Sequence, residues 1–349
     1  MSPAVVAGIG QRGDGLVRSS IVYGPVPSRR LGHSLGINNI PPKICSYSCT
    51  YCQLGSTLIV EVEPKAIYKA AKIVEHVETK LKQARDTGEP VDYVTFVPDG
   101  EPTLDANLGK EIDILKELRV RVAVITNGSL LWRKDVRRSL RKADWVSLKI
   151  DAVSEDTWHR INRPHKLLKL ETILKGMLKF AQAFEGELTT ETMLIRDVND
   201  DIDEIKRIAE LLAVLKPTKA YVAIPTRPPA ERVEPASEES INAAYQIFTE
   251  RLDWVEYLIG YEGNAFAFTG DIVEDLLSIT SVHPMREEAV TRLLGKAGAG
   301  WGIVEGLIED GKLTEVEYQG KRFYIRKLPR CGRSTHALEL LNEENRKHC

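Results

Sequence analysis

The chain has 349 residues, 43% of them hydrophobic, with 48 basic against 50 acidic side chains and a formal net charge of -2. That length exceeds what one core ordinarily supports, so a large domain and a smaller one are expected, and the balanced charge gives no reason to expect a polyanionic partner. No run approaches the ~18 apolar residues of a membrane span, and the first residues carry no secretory signal pattern, so a cytoplasmic location is expected.

Residues 1–33 are rich in Gly, Pro and Arg and show no clear period. They read as an irregular lead-in with a turn at Gly24-Pro25-Val26-Pro27. From residue 34 onward, short apolar runs alternate with helical patterns. The expected strands are Ser34 to Asn38, Tyr93 to Val97, Val120 to Ile125, Trp145 to Ile150, Thr189 to Ile195 and Ala220 to Ile224. Helical patterns lie between them, at about 65–86, 108–118, 133–142, 167–184 and 201–214, with Asp200 at the N-cap position of the last. Strand and helix in strict alternation imply parallel strands with right-handed crossovers. Six units fall short of a closed eight-stranded barrel, so the fold class expected is α/β, an open partial (β/α)6 TIM-like barrel.

The stretch P-T-R-P-P-A-E-R-V-E-P-A at 225–236 holds four prolines in twelve residues, which neither a helix nor a central strand tolerates. A helix is expected at 237–252 and a short apolar segment near 255–268. Beyond 271, three short helices precede two alternating runs, Leu313 to Tyr318 and Arg322 to Arg326, around Gln319-Gly320. That order suggests a small C-terminal winged-helix-like domain. The divisions are then 1–33, a barrel at 34–230, a connector at 231–270, the winged-helix-like domain at 271–328 and a polar tail at 329–349. The acidic residues of the small domain offset its basic ones, so nucleic-acid binding is not indicated by charge.

Five cysteines are present, at 45, 49, 52, 331 and 349. An odd number with one tight cluster is no disulfide framework. The cluster reads K-I-C-S-Y-S-C-T-Y-C-Q. Three thiolates on one loop suit three irons of a cubane, leaving the fourth iron open to an outside ligand. A zinc site is the alternative, completed by Cys331 or Cys349; His33 lies upstream but precedes a strand instead of pairing in a knuckle.

Cys45, Cys49 and Cys52, spaced Cys-X3-Cys-X2-Cys after a first strand and with Tyr51 before the last, resemble the signature of the radical S-adenosylmethionine (SAM) superfamily. The opening Y-G-P-V-P-S-R-R-L-G and S-L-G-I-N resemble a subgroup related to the wyosine base synthases of tRNA. The resemblance implies a [4Fe-4S] cluster on the three cysteines, SAM on its open iron, and an electron donor of flavodoxin or ferredoxin type. It implies reductive cleavage of SAM to a 5′-deoxyadenosyl radical that attacks an unknown substrate, with no protein residue needed as catalytic acid or base for that step. D-G-E-P at 99–102 resembles the family's Gly-Gly-Glu-Pro motif, with Asp99 in place of the first Gly, so Gly100, Glu101 and Pro102 are expected to receive the SAM ammonium. In I-T-N-G, Thr126 and Asn127 stand at a strand end where barrel sites form.

In W-V-S-L-K-I-D-A, period two sets Ser147, Lys149 and Asp151 on one face, which points into the barrel. A buried lysine requires a partner. The SAM carboxylate is one candidate, and an internal pair with Asp151 or Glu101 is another. Ser147 matches the position of a ribose contact. Arg160 and Arg163, in W-H-R-I-N-R-P-H, would clamp an anion or lie on a solvated face. Asn199 resembles a strand-end cofactor residue of several branches, with a helix cap as the plainer role. The Gly-X-Ile-X-Gly adenine pattern is absent, which leaves adenine to Tyr51 and backbone. A competing reading is an iron–sulfur sensor that binds nucleic acid through the small domain, though D-G-E-P and S-L-K-I-D would then have no purpose.

Overall fold

The computed structural model describes residues 21–260 and 263–327. The polar tail and both distal cysteines, Cys331 and Cys349, lie outside them. The chain enters on β1 (Val22–Ser28), turns, and returns on β2 (Gly32–Ile37). Two short strands follow, β3 (Ile44–Cys45) and β4 (Ile59–Val60), which pair with each other. Then come α1 (Ala70–Asp86), β5 (Tyr93–Phe96), α2 (Leu108–Glu117), β6 (Arg121–Thr126), α3 (Lys134–Leu140) and β7 (Trp145–Lys149). The series continues with α4 (Glu155–Asn162), α5 (Leu170–Ala181), β8 (Glu187–Met193), α6 (Ile202–Leu215), β9 (Lys219–Ala223), α7 (Glu238–Thr249) and β10 (Val255–Leu258).

One eight-stranded sheet runs in the order β1-β2-β5-β6-β7-β8-β9-β10. Only β1 is antiparallel to its neighbour. All six expected strands are present in a parallel sheet of the partial-barrel kind. Two differences stand at its edges. The proline-rich lead-in contains β1, whose register slips between Tyr23 and Val26. Prolines are tolerated there because an edge strand and a bulge leave N–H groups unpaired. At the far edge β10 adds a strand beyond the six units, in the stretch that the sequence marks as a connector.

The strands are buried on both faces, as in Y-V-T-F of β5. Helices cover the outside through apolar stripes such as Leu170, Ile173, Met177 and Phe180 of α5. The N-cap of α6 is Asp201, not Asp200: its side chain accepts from the Glu204 N–H at 2.9 Å. Asp200 instead closes the preceding turn on the Asp197 N–H. Helix α4 is an addition to the expected elements. Glu204 holds its start by accepting from the Val153 and Ser154 N–H groups at 2.7 and 3.0 Å.

The C-terminal module contains α8 (Ile272–Thr280), β11 (Met285–Arg286), α9 (Glu287–Lys296), α10 (Gly302–Glu309), β12 (Leu313–Tyr318) and β13 (Lys321–Arg326). Its strands form a sheet in the order β11-β13-β12. The β12–β13 turn uses Gln319 and Gly320, both at positive φ, as a two-residue hairpin requires. Leu276, Ile279, Met285, Leu293 and Tyr324 of the module share one core with Tyr23 and Val26 of β1. Lys80 of α1 adds a buried link, donating to Thr269 at 2.9 Å. No helix among the described residues is long and apolar enough to cross a membrane.

Candidate active site

The cysteine loop leaves the end of β2 and is held from two sides. On one side the turn after β5 grips it: Lys43 N–H donates to the Asp99 carbonyl at 2.7 Å and Glu101 N–H to the Ile44 carbonyl at 3.1 Å. Gly100 is required at this contact, since a Cβ there would lie 1.9 Å from the Ile44 oxygen, at φ +154°. On the other side α4 grips it. The Ser48 and Thr50 N–H groups donate to the Asn162 and Ile161 carbonyls at 3.0 Å, and the Trp158 indole donates to the Tyr47 hydroxyl at 3.1 Å.

Two of the thiols face a side-chain amide from a neighbouring element: the Asn127 amide reaches Cys45 Sγ at 3.6 Å and the Asn162 amide reaches Cys49 Sγ at 3.4 Å. Burial raises all three thiol pKa values, with Glu101 adding to it at Cys45 and Asp151 at Cys49, the latter pushed up to about 12. Ligation by a cationic centre would replace those protons. Among the described residues no three His, Cys, Asp or Glu side chains are placed to hold a single metal ion. His33, which lies upstream, pairs with Asp92. Three thiols without a fourth partner among the described residues, two of them with an amide N–H on sulfur, fit a cluster with one open iron.

Glu101 lies at the centre of the site and also braces the chain around it. Its carboxylate accepts from Thr103 N–H at 3.0 Å, Thr103 Oγ1 at 2.6 Å, Thr126 Oγ1 at 2.5 Å and Asn127 N–H at 2.9 Å. Three of these donors share Oε1, while Oε2 accepts only from the Asn127 N–H, so Oε2 keeps a lone pair that an ammonium can use. The Glu101 carboxylate ties the Pro102 turn to the end of β6 and so aims Asn127 at Cys45. Burial still holds its pKa above the usual carboxylate range. Asp99, the departure from the family pattern, pairs with Lys43 at 3.2 Å, and burial pushes its carboxyl up to about 6 against that partner.

Inside the barrel, Lys149 pairs with Glu191 of the neighbouring strand, not with Asp151 or Glu101. Arg30, from the β1–β2 turn, takes the other Glu191 oxygen. Burial opposes ionisation of Glu191, yet Lys149 and Arg30 prevail and bring its pKa down to about 2. Lys149 also lies 5.2 Å from the centre of the Tyr51 ring. Tyr51 donates its hydroxyl to Asp151, which also accepts from the Asn162 amide at 2.8 Å and the Met193 N–H at 2.9 Å. Beneath them, Ser147 Oγ and Thr189 Oγ1 are buried without a hydrogen-bond partner. Ser147 and Thr189 are paired in register on the face that carries Lys149 and Glu191. Orphaned hydroxyls on a barrel interior are what a bound polar ligand would satisfy.

Three other expected residues are placed elsewhere. Asn199 is fully buried and bonds only to backbone, accepting from Ile195 N–H and donating to the Asp151 and Met193 carbonyls, each at 2.8 Å. It staples two strand ends and does not cap a helix. Arg160 is committed to the Asp197 carbonyl, and Arg163 to both oxygens of Glu231. Sequence reasoning misses Arg30, Asn162, Thr189 and Glu191. Glu191 is detectable as the lone acid among alternating T-T-E-T-M, and Arg30 lies within the S-R-R-L-G already singled out.

Comparison with known proteins agrees with this geometry. A family model described as the Radical SAM superfamily matches residues 39–212. A UPF0026 protein of Methanocaldococcus jannaschii is 45% identical over 312 residues, covering 88% of this chain and 97% of its own. A UPF0026 protein of Helicobacter pylori is 31% identical, covering 87% of this chain and 97% of its own. Among solved structures, a radical SAM methyltransferase from Sphaerobacter thermophilus superposes with a TM-score of 0.51 at 19% identity, over 65% of this chain and 66% of that one, a likeness of fold alone.

Proposed function

The chain is an enzyme of the radical SAM superfamily and belongs to the UPF0026 family within it; from that premise we propose that it cleaves SAM reductively at a [4Fe-4S] cluster held by Cys45, Cys49 and Cys52. A reduced cluster there supplies the electron that splits SAM into methionine and a 5′-deoxyadenosyl radical, which takes hydrogen from the substrate. The observation that carries this reading is the cysteine loop itself: three buried thiols, two of them facing side-chain amides from the barrel, with no further ligand group gathered beside them among the described residues.

The chain's own groups then bind, orient and exclude water. Asn127 and Asn162 fix the sulfurs of Cys45 and Cys49. Gly100 lets the β5 turn lie against the loop, and the Gly100 carbonyl with Glu101 Oε2 are the acceptors we assign to the SAM ammonium, since the Pro102 carbonyl already accepts from Asn39 Nδ2 and the Asp105 N–H. Ser147, with Thr189 beside it, offers buried hydroxyls to a ribose. Lys149 keeps 22% of its side chain open to solvent and would meet the SAM carboxylate while still backed by Glu191. Tyr51 supplies a flat face held rigid through Asp151.

The substrate class we favour is an RNA base, with a peptide as the competitor, and the reductant a flavodoxin or ferredoxin in the cytoplasm. We read the C-terminal module as winged-helix-like and the chain's domains as divided near 271. The test is anaerobic reconstitution with iron and sulfide, then dithionite and SAM, with 5′-deoxyadenosine measured and Cys49→Ala as control. Product from the intact chain and none from the variant supports the proposal. A loaded cluster that never cleaves SAM, with or without RNA and peptide pools, overturns it.

A further inference from the structure

The Cys52 arm of the loop is built differently from the other two. Cys45 and Cys49 receive side-chain amides from the barrel, from Asn127 and Asn162. Cys52 has no such amide, and its place is set by the turn that follows it, where the Gly55 N–H donates to the Cys52 carbonyl at 3.0 Å. A cysteine at the head of a turn is placed only as well as the turn is held. Two residues hold this one. The Leu54 side chain packs against the core of the C-terminal module, beside Val97 from the end of β5. Gln53 accepts from the guanidinium of Arg227, which lies in the proline-rich segment after β9. The other prong of that guanidinium meets His283 Nε2 of the module at 3.0 Å. Both Arg227 and His283 are more than nine-tenths buried. His283 is itself fixed edge-on against Phe266, 5.1 Å between ring centres. Tyr318 of the hairpin adds a bond to the Pro225 carbonyl, two residues before Arg227, at 3.3 Å.

From this chain of contacts we infer that the C-terminal module is a wall of the cluster site, and that Arg227 is a positioning residue which fixes the turn beside Cys52 through Gln53. The inference rests on the proposed cluster. It gives the module a role that requires no nucleic acid. Outer partners that orient a cluster's ligands tune its reduction potential and its retention, and loss of one costs about 10- to 100-fold in metal affinity. An Arg spans Gln53 and His283 with two prongs of fixed geometry, which a Lys does not. Arg227→Lys therefore keeps the charge and loses the bridge.

The test uses the full chain, reconstituted anaerobically, in four forms: unaltered, Arg227→Lys, Leu54→Ala and Lys296→Ala. Lys296 joins the same module to the barrel through Glu89 at 2.6 Å, away from the cysteine loop, and serves as the control for module docking. The readouts are iron and sulfide per chain, the rate of iron loss to a chelator, the EPR spectrum of the reduced cluster and its midpoint potential. Circular dichroism checks the fold. Arg227→Lys and Leu54→Ala are expected to lose iron about tenfold faster or more, with shifted g-values and potential, while Lys296→Ala matches the unaltered chain. If both loop-side variants keep the parent's iron release, spectrum and potential, the inference is wrong. It is equally wrong if Lys296→Ala shifts them as much, since the effect is then general docking. If the unaltered chain takes up no cluster, the underlying reading fails instead.

Discussion

Glu101→Ala separates a ligand of SAM from an organiser of the site, and the structure sets the magnitude. Glu101 is 1% exposed and accepts from four donors. The Thr103 and Thr126 hydroxyls can rotate to other acceptors, but the backbone N–H groups of Thr103 and Asn127 cannot. Each buried donor left unpaired costs about 1–3 kcal/mol, so two cost about 2–6 kcal/mol. Relief of a buried carboxylate, whose pKa burial holds above the usual range, subtracts from that sum. We therefore expect a loss of about 2–4 kcal/mol in the cluster-free protein, measured by urea unfolding without SAM. The Asn127 amide should also swing away from Cys45, so the cluster should load poorly even in the folded fraction. A variant as stable as the parent, with only its SAM affinity lowered, would refute the organiser role and leave only the direct-ligand one.

Two further outcomes follow from buried carboxyls. Asp105 and Glu111 are an adjoining pair, 3% and 0% exposed, at the foot of the same turn, and burial followed by Asp105 pushes the Glu111 pKa well up. A raised folded-state pKa means the stability is fully present below the unfolded carboxyl pKa and is lost as pH rises through the folded value. Urea midpoints should thus fall from mildly acid to alkaline pH, and Glu111→Gln should flatten the slope; an equal slope in the variant would dismiss the pair as its cause. Glu191→Gln leaves Arg30 and Lys149 together without their shared carboxylate. Breaking a buried pair costs about 3–5 kcal/mol, and the low end is expected because each cation keeps about a fifth of its side chain in solvent. Added chloride or sulfate should recover part of the loss in thermal unfolding, and insensitivity to both variant and anion would contradict the triad.

What the sequence discloses, and what it withholds, follows from the range of the interactions. Period two in W-V-S-L-K is local, so the inward face with Ser147 and Lys149 is legible in the sequence alone. The partner of Lys149 is not, because strand register decides whether residue 149 meets 151 or 191, and register is a property of two strands. Strand β1 is hidden by its own prolines, which argue against a strand unless its edge position is known. Strand β10, V-E-Y-L, is too short and too mixed to announce itself. Asn199 and Glu101 carry motif positions that suggest ligands, yet their bonds are to backbone and to neighbouring side chains, which only the fold brings near. The C-terminal hairpin is legible in Gln319-Gly320, whereas the bridge from His283 to Gln53 spans 230 positions and leaves no local mark.

The central claim is tested most directly by EPR on the anaerobically reconstituted, dithionite-reduced protein, recorded before and after SAM. The account predicts an S = 1/2 signal of a [4Fe-4S] cluster whose g-values shift when SAM takes the open iron. In Cys49→Ala that signal should be absent. A signal indifferent to SAM, or a protein that retains zinc and forms no cluster, would contradict it.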